Sequence, residues 1–193
     1  MNSICVYCGS AKQASRVYFT AARQMGETLA RRGLTLVYGG GKTGLMGALA
    51  DSVIDRGGEV IGVITEGMNT PELAHTRLTR LEVTATIHQR KSRMYELADG
   101  YIALPGGYGT LDELFETLTW AQIGEHQKPV GILNVDGYYD TLLAMLDRAV
   151  KEKFLFPEHR RVLMCESQPD RLLEAMTTYR PPLEAVGRWM RQE

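Results

Sequence analysis

The sequence predicts an α/β fold, a parallel sheet flanked by helices in a single domain, and three observations lead there. Short apolar runs rich in Val, Ile, Leu and Tyr alternate with longer segments of helical period, the pattern of repeated strand–helix units. The first two helical segments stop at glycine, Gly33 and then Gly57-Gly58, residues free to take positive φ at a helix C-terminus. Three of the apolar runs lead into glycine-rich turns, which in an open parallel sheet all emerge at the carboxyl edge of the strands.

Taken in order, the first strand covers residues 3–7 and runs into Cys8-Gly9-Ser10-Ala11, followed by a helix at 16–32. A strand at 35–38 enters Gly39-Gly40-Gly41-Lys42-Thr43-Gly44, which opens a helix at 44–56. After a strand at 59–64 comes the one long connection, residues 65–79, carrying Gly67, Asn69 and Pro71; long loops near strand ends are often functional. A strand at 80–83 and a helix at 87–97 precede the strand at 100–104. That strand enters Pro105-Gly106-Gly107-Tyr108-Gly109-Thr110 and a helix at 110–123. Strands at 130–133 and 162–165 and helices at 139–151 and 169–179 complete the alternation. Pro181-Pro182 cannot continue a helix, so the domain is expected over 1–180, with a tail at 181–193.

Composition excludes several classes. Lys and Arg total 22 against 23 for Asp and Glu, so the global positive field of a non-specific nucleic-acid binder is missing and an anionic ligand must be met locally. The longest run without charged residues, 100–111, is far short of the ~20 apolar residues of a membrane span. The N-terminus lacks the basic flank and apolar core of a signal peptide, so a cytoplasmic location is expected. The odd number of cysteines, Cys5, Cys8 and Cys165, suits a reducing compartment. Cys5 and Cys8 lie three apart on a strand and so face opposite ways; they are expected to pack, with no metal and no cofactor.

Glycine turns ahead of helices suit phosphate, because a chain without Cβ lets backbone N–H groups close on an anion and the helix start adds its dipole. Gly39-x-Gly41-x-x-Gly44 satisfies a dinucleotide fingerprint, but in the second strand–helix unit, with Glu59 opening rather than closing the next strand. Gly41-Lys42-Thr43 echoes a P-loop, yet Leu36 stands where its first glycine belongs. Residues 105–113 carry more: three glycines, a threonine and a carboxylate across a strand-to-helix junction. Thr110-x-x-Glu113 also fits a capping box, so Glu113 reads either as a cap or as a carboxylate one turn beyond a bound phosphate, at the reach of its sugar.

These residues resemble the Lonely Guy family of cytokinin riboside 5′-monophosphate phosphoribohydrolases, whose signature PGGxGTxxE is complete in Pro105-Gly106-Gly107-Tyr108-Gly109-Thr110-Leu111-Asp112-Glu113. His88-Gln89-Arg90-Lys91 matches the companion motif, with Arg90 preceding Glu113 by 23 positions. Val6-Tyr7-Cys8-Gly9-Ser10, Val37-Tyr38-Gly39-Gly40-Gly41, Gly44-Leu45-Met46-Gly47 and Pro129-Val130-Gly131-Ile132-Leu133-Asn134 extend the similarity, which departs around residues 70–75 although Glu72 keeps its distance from Arg90. The resemblance implies a Rossmann-like homodimer with sites near the subunit interface, acting without cofactor on a nucleoside monophosphate to release an adenine-type base and ribose 5-phosphate. Some members carry a lysine decarboxylase label, which the residues do not support, since a pyridoxal enzyme needs a Schiff-base lysine in its own setting.

Breaking an N-glycosidic bond builds positive charge on the ribose, which a carboxylate stabilises; Glu113 is the candidate, partnered by the planar, permanently charged Arg90. Substrate contacts are expected from Gly106, Gly107, Tyr108, Gly109, Thr110 and Glu113 and, as the resemblance implies, from Glu72, Arg90, Lys91, Leu111, Asp112 and Thr119. Gly9, Ser10, Gly40, Gly41 and Gly44 are expected to form further loops on the phosphate and sugar side. His88 reads either as a general acid for the departing base or, more ordinarily, as a surface residue, and Leu111, Leu114, Phe115 and Leu118 form an apolar stripe for the core or a dimer contact. Two other classes stay open at this level: a nucleotide carrier without turnover, and an NAD-dependent oxidoreductase using Gly39, Gly41 and Gly44.

Overall fold

A computed structural model describes residues 1–182. The tail expected at 181–193 lies outside the described residues from position 183 onward. Among the described residues seven parallel strands form one sheet: β1 (Ser3–Tyr7), β2 (Thr35–Tyr38), β3 (Val60–Thr65), β4 (Arg80–Thr84), β5 (Gly100–Ala103), β6 (Val130–Leu133) and β7 (Leu163–Glu166). Their spatial order is β4-β3-β2-β1-β5-β6-β7, and every pairing is parallel. The chain therefore builds outward from β1 in one direction, then crosses back and builds outward in the other.

Helices α1 (Arg16–Arg31), α2 (Gly44–Ile54), α3 (Ile87–Leu97), α4 (Tyr108–Ile123), α5 (Asp140–Lys151), α6 (Pro157–Arg160) and α7 (Pro169–Thr177) cover both faces. Alternation along the strands supplies two cores. Ile4, Val6 and Leu36 pack with Met25, Leu29 and Leu49 of α1 and α2 and with Leu172 of α7. Cys5, Tyr7 and Val37 pack on the other face with Met94 of α3 and Leu114 of α4. Cys8 belongs to the first core and Cys5 to the second, so the two thiols do face opposite ways, and burial pushes both well up from the ordinary thiol range.

Sequence periodicity places the strands to within about a residue, and two helix boundaries are instructive. Helix α4 starts at Tyr108, two residues ahead of the expected 110, because Gly107 is its N-cap. Helix α2 ends at Ile54 rather than 56, its last turn closing through Gly57 N to Ile54 O and Gly58 N to Val53 O. The 3₁₀ turns at Glu66–Met68 and Val135–Gly137 and the single turn α6, started by Pro157, are too short for periodicity to reveal.

Candidate functional site

Sheet order reverses between β1 and β5, and the crevice beyond the carboxyl ends at such a point is where open α/β sheets take ligands. A cavity of about 480 Å³ opens there, within the range of small-molecule sites. Tyr7, Cys8, Gly9 and Ser10 line it from the end of β1, and Gly39, Gly41, Thr43 and Met46 from the β2–α2 junction. Arg90 and Ile87 enter from α3, and Gly107, Tyr108, Gly109, Thr110 and Glu113 from the start of α4.

Arg90 and Glu113 form an ion pair in this wall. Arg90 Nη1 donates to Glu113 Oε1 at 2.8 Å, with the two side chains only 10% and 12% exposed. Arg90 Nε donates to the carbonyl of Val63 in β3 at 2.9 Å, which fixes the guanidinium plane. The room for it is made by Gly39: a Cβ there would stand 2.2 Å from Arg90 Nη2. Glu113 is anchored through its own backbone, whose carbonyl accepts the Thr117 hydroxyl at 2.7 Å, while Thr117 Oγ1 lies 3.1 Å from the Tyr7 hydroxyl. Burial pushes the Glu113 carboxyl up from the usual carboxylate range; the charge and hydrogen bond of Arg90 oppose this without cancelling it.

The start of α4 settles the ambiguity at Thr110 and Glu113. Gly107 is the N-cap and no side chain caps the helix, so Thr110 is the third helical residue and Glu113 the sixth. Glu113 is no capping residue, and its carboxylate goes to Arg90 instead of its own helix start. The first amides of a helix have no acceptor within it, and those of Tyr108, Gly109 and Thr110 belong to residues lining the cavity, at the positive end of the dipole. The chain does contain a capping box, at Thr86 and Gln89, where it starts α3 and so fixes the helix that carries Arg90.

Other expected site residues divide. Gly9, Ser10 and Gly41 reach the cavity with the residues above, and Gly106 lies behind them in an adjoining cavity of about 320 Å³. Gly40 turns away toward Ile64 and Leu81, and Gly44 sits against the Ser10 backbone; both hold left-handed φ and shape the turn without lining the cavity. Lys91 pairs with Asp112 at 3.1 Å and Glu116 at 2.9 Å, so Lys91 and Asp112 meet each other beside the cavity rather than in its wall. Leu111 packs into the second core. Glu72 is exposed outside the cavity wall, held in the carboxylate form by its own backbone amide and the Thr70 hydroxyl. Thr119 is not brought to Glu113: six residues on, it lies about 120° round α4, lines a separate groove with Phe115 and Leu118, and donates to Phe115 O.

Sequence reasoning missed the apolar end of the cavity, Met46, Ile64, Met68, Leu73 and Ile87. Only the length of the 65–79 connection hinted that Met68 and Leu73 belong to a site. None of the residues lining the cavity is a lysine or a histidine, and His88 is exposed. Among the described residues no cluster of three or more His, Cys, Asp or Glu is placed to hold a metal ion, and no helix is long and apolar enough to cross a membrane.

Comparison with known proteins adds the following. Residues 46–176 match a protein family described as possible lysine decarboxylase. A probable cytokinin riboside 5′-monophosphate phosphoribohydrolase of Oryza sativa subsp. japonica, LOGL5, is 48% identical over 93% of this chain and 73% of its own length. The cytokinin riboside 5′-monophosphate phosphoribohydrolase LOG7 of Arabidopsis thaliana is 44% identical over 95% of this chain and 84% of its own. Among solved structures, the molybdenum cofactor binding protein of Rippkaea orientalis superposes with a TM-score of 0.70 at 24% identity, covering 92% of this chain and 96% of that one. The molybdenum cofactor carrier protein of Chlamydomonas reinhardtii gives 0.66 at 18%, covering 91% and 96%. At such identities the two structures share the fold.

Proposed function

This chain belongs to the Lonely Guy family of cytokinin riboside 5′-monophosphate phosphoribohydrolases, and from that premise we propose that it hydrolyses the N-glycosidic bond of adenine-type nucleoside 5′-monophosphates, AMP or cytokinin riboside 5′-monophosphates, to free base and ribose 5-phosphate. The observation that carries this reading is the Arg90–Glu113 pair, buried in the cavity wall one turn along the helix whose free amides begin at Tyr108. In this reading the phosphate rests on the amides of Tyr108, Gly109 and Thr110, which places the ribose beside Glu113. As the bond from C1′ to the base nitrogen breaks, positive charge develops on the ribose and the Glu113 carboxylate stabilises it or takes a proton from the attacking water. Water adds to C1′, and the base leaves with the bonding pair and gains a proton. Arg90 holds Glu113 in place and pulls its carboxyl toward the ionised form against the larger effect of burial.

The far end of the cavity, Met68, Leu73 and Ile87, is apolar and open, which suits a purine face and leaves room for an apolar substituent on it. A decarboxylase reading finds no support, since a Schiff base needs a lysine in the cavity and the lining holds none. The proposed assembly is a homodimer: α5 buries none of its residues, leaving Met145 68% exposed beside half-buried Leu142 and Leu146, a face that a second copy would cover. Light scattering at micromolar concentration checks this, with a fully active monomer as the opposing result.

Incubation with a panel of nucleosides, nucleoside monophosphates and triphosphates, with products separated by chromatography, tests the activity. Free base and ribose 5-phosphate from the monophosphates, with little from the nucleosides, is the expected result. Binding of AMP without release of base would leave a nucleotide carrier in its place.

A further inference from the structure

Binding an anion through a backbone turn needs N–H groups in front and carbonyl oxygens kept elsewhere, because a carbonyl aimed at a phosphate repels it. In residues 104–107 every carbonyl has a partner. Leu104 O accepts the Tyr139 hydroxyl at 2.7 Å, Pro105 O accepts Gly9 N at 3.1 Å, Gly106 O accepts the Tyr138 hydroxyl at 2.7 Å, and Gly107 O accepts Leu111 N at 3.1 Å. Three of these bonds hold the main chain and one ring buried at 1% exposure. The exception is the bond from Tyr138, a residue 40% exposed, which like Tyr139 comes from the β6–α5 connection.

That connection is shaped to deliver it. Asp136 and Gly137 both hold left-handed φ, 52° and 68°, an uncommon conformation for an aspartate, and the tight turn they make points two consecutive tyrosines at one strand end. Asn134 fixes its exit, accepting Tyr139 N at 2.8 Å and donating to Asp140 at 2.7 Å. The Tyr138 ring then stands edge-on to Tyr139, centroids 5.0 Å apart, and to Tyr18, 5.6 Å apart, in the wall of the adjoining cavity.

We propose that Tyr138 is a positioning residue for phosphate binding: its hydroxyl holds the Gly106 carbonyl on the side of the adjoining cavity and so turns the next amide, that of Gly107, toward the ligand. The link is the planarity of the peptide, in which C=O of one residue and N–H of the next point in opposite directions. Without the hydroxyl the 106–107 peptide is free to rotate and to present oxygen where the phosphate lies. This rests on the phosphate placement proposed above.

Tyr138→Phe keeps the ring and its packing and removes only the hydroxyl. For Tyr138→Phe the expected result is a KM for AMP raised about three- to tenfold, the scale of one lost hydrogen bond, with kcat changed less than twofold. Ribose 5-phosphate should inhibit the variant more weakly by the same factor, while inhibition by free adenine stays as in the wild type. Tyr18→Phe, which removes a hydroxyl from the same cavity wall without touching the turn, should leave all of these values unchanged. An unchanged KM, a loss confined to kcat, or equal weakening toward ribose 5-phosphate and adenine would each overturn the proposal. A wild-type protein that releases no base from AMP would instead remove the reading it rests on.

Discussion

Two glycine-rich turns leave the same edge of the sheet on either side of β1, 39–44 after β2 and 105–110 after β5, and both lead into a helix. Their compositions are similar, yet their backbones are committed differently. In the first, Lys42 N donates to Leu73 O at 2.8 Å, Gly40 O accepts His75 N at 2.9 Å, and the Lys42 ammonium bonds Pro71 O. That turn is tied to the long loop and serves as a wall, and the absent Cβ of Gly39 admits Arg90. In the second turn the carbonyls are tied down and the helix amides are left toward the cavity. Glycine thus serves side-chain packing in one turn and, in the reading proposed above, anion contact in the other, and composition alone does not separate the two uses.

The largest effect expected from this contrast is at the residue both turns serve. Glu113→Gln keeps shape and removes charge, so turnover should fall ~10²–10³-fold while AMP binding by the backbone remains, measured by kcat and by equilibrium binding. Retention of more than about a tenth of wild-type turnover, well outside that range, would remove Glu113 from the chemistry. Next is Gly39→Ala. The new methyl meets the ends of two flexible side chains, Arg90 Nη2 at 2.2 Å and Met46 Cε at 2.7 Å, so the fold should survive while the ion pair moves. A displaced catalytic pair of this kind lowers kcat/KM by about 10²-fold, and a variant of full activity would show that Arg90 need not sit where it does.

A third test is the pH profile. The Glu113 carboxyl is raised by burial and the proposed reaction uses its ionised form, so activity should appear as pH rises through a value above the ~4.3 of a free glutamate. Arg90→Ala removes the group that pulls the carboxyl down, so the acidic limb of kcat/KM should move further up. An acidic limb at or below that of free glutamate would contradict the burial argument. The linkage to stability has the same origin: a carboxyl raised in the folded state binds its proton more tightly there, so this group's contribution to stability declines as pH rises from the unfolded value through the folded one.

The smallest effects compare neighbours within the second turn. A Cβ at Gly106 would meet Thr110 Oγ1 at 2.1 Å and the backbone of Gly9 at 2.8 Å, whereas one at Gly107 meets nothing within 4 Å. Denaturant midpoints should show Gly106→Ala losing ~1–3 kcal/mol and Gly107→Ala staying within about 0.5 kcal/mol of wild type. Equal losses at the two positions would mean that the turn is limited by glycine flexibility and not by its contact with Gly9.

Much of this molecule was legible before its structure. The alternation of apolar runs and helical periods gave the seven strands, because burial on one or both faces leaves a mark that repeats every two or 3.6 residues. The signature at 105–113 and Arg90, 23 positions earlier, marked in a single reading two residues that the fold joins as a buried ion pair. What local pattern does not carry is the partner of a group when that partner is distant in sequence. Thr110 and Glu113 look like a cap in isolation, and only the approach of α3 through the space left by Gly39 draws the carboxylate to Arg90. Thr119 lies on the helix that bears Glu113, but the face it occupies relative to the cavity follows from how α4 lies on the sheet. Met68 and Leu73 at the apolar end of the cavity and the tyrosine behind the second turn come from connections with no period to read. The sequence by itself therefore determined the elements and the candidate reactive groups, since both are encoded locally. The tertiary structure alone decided which backbone amides stay free and which carbonyls are taken, because each such bond joins residues that only the folded chain brings together.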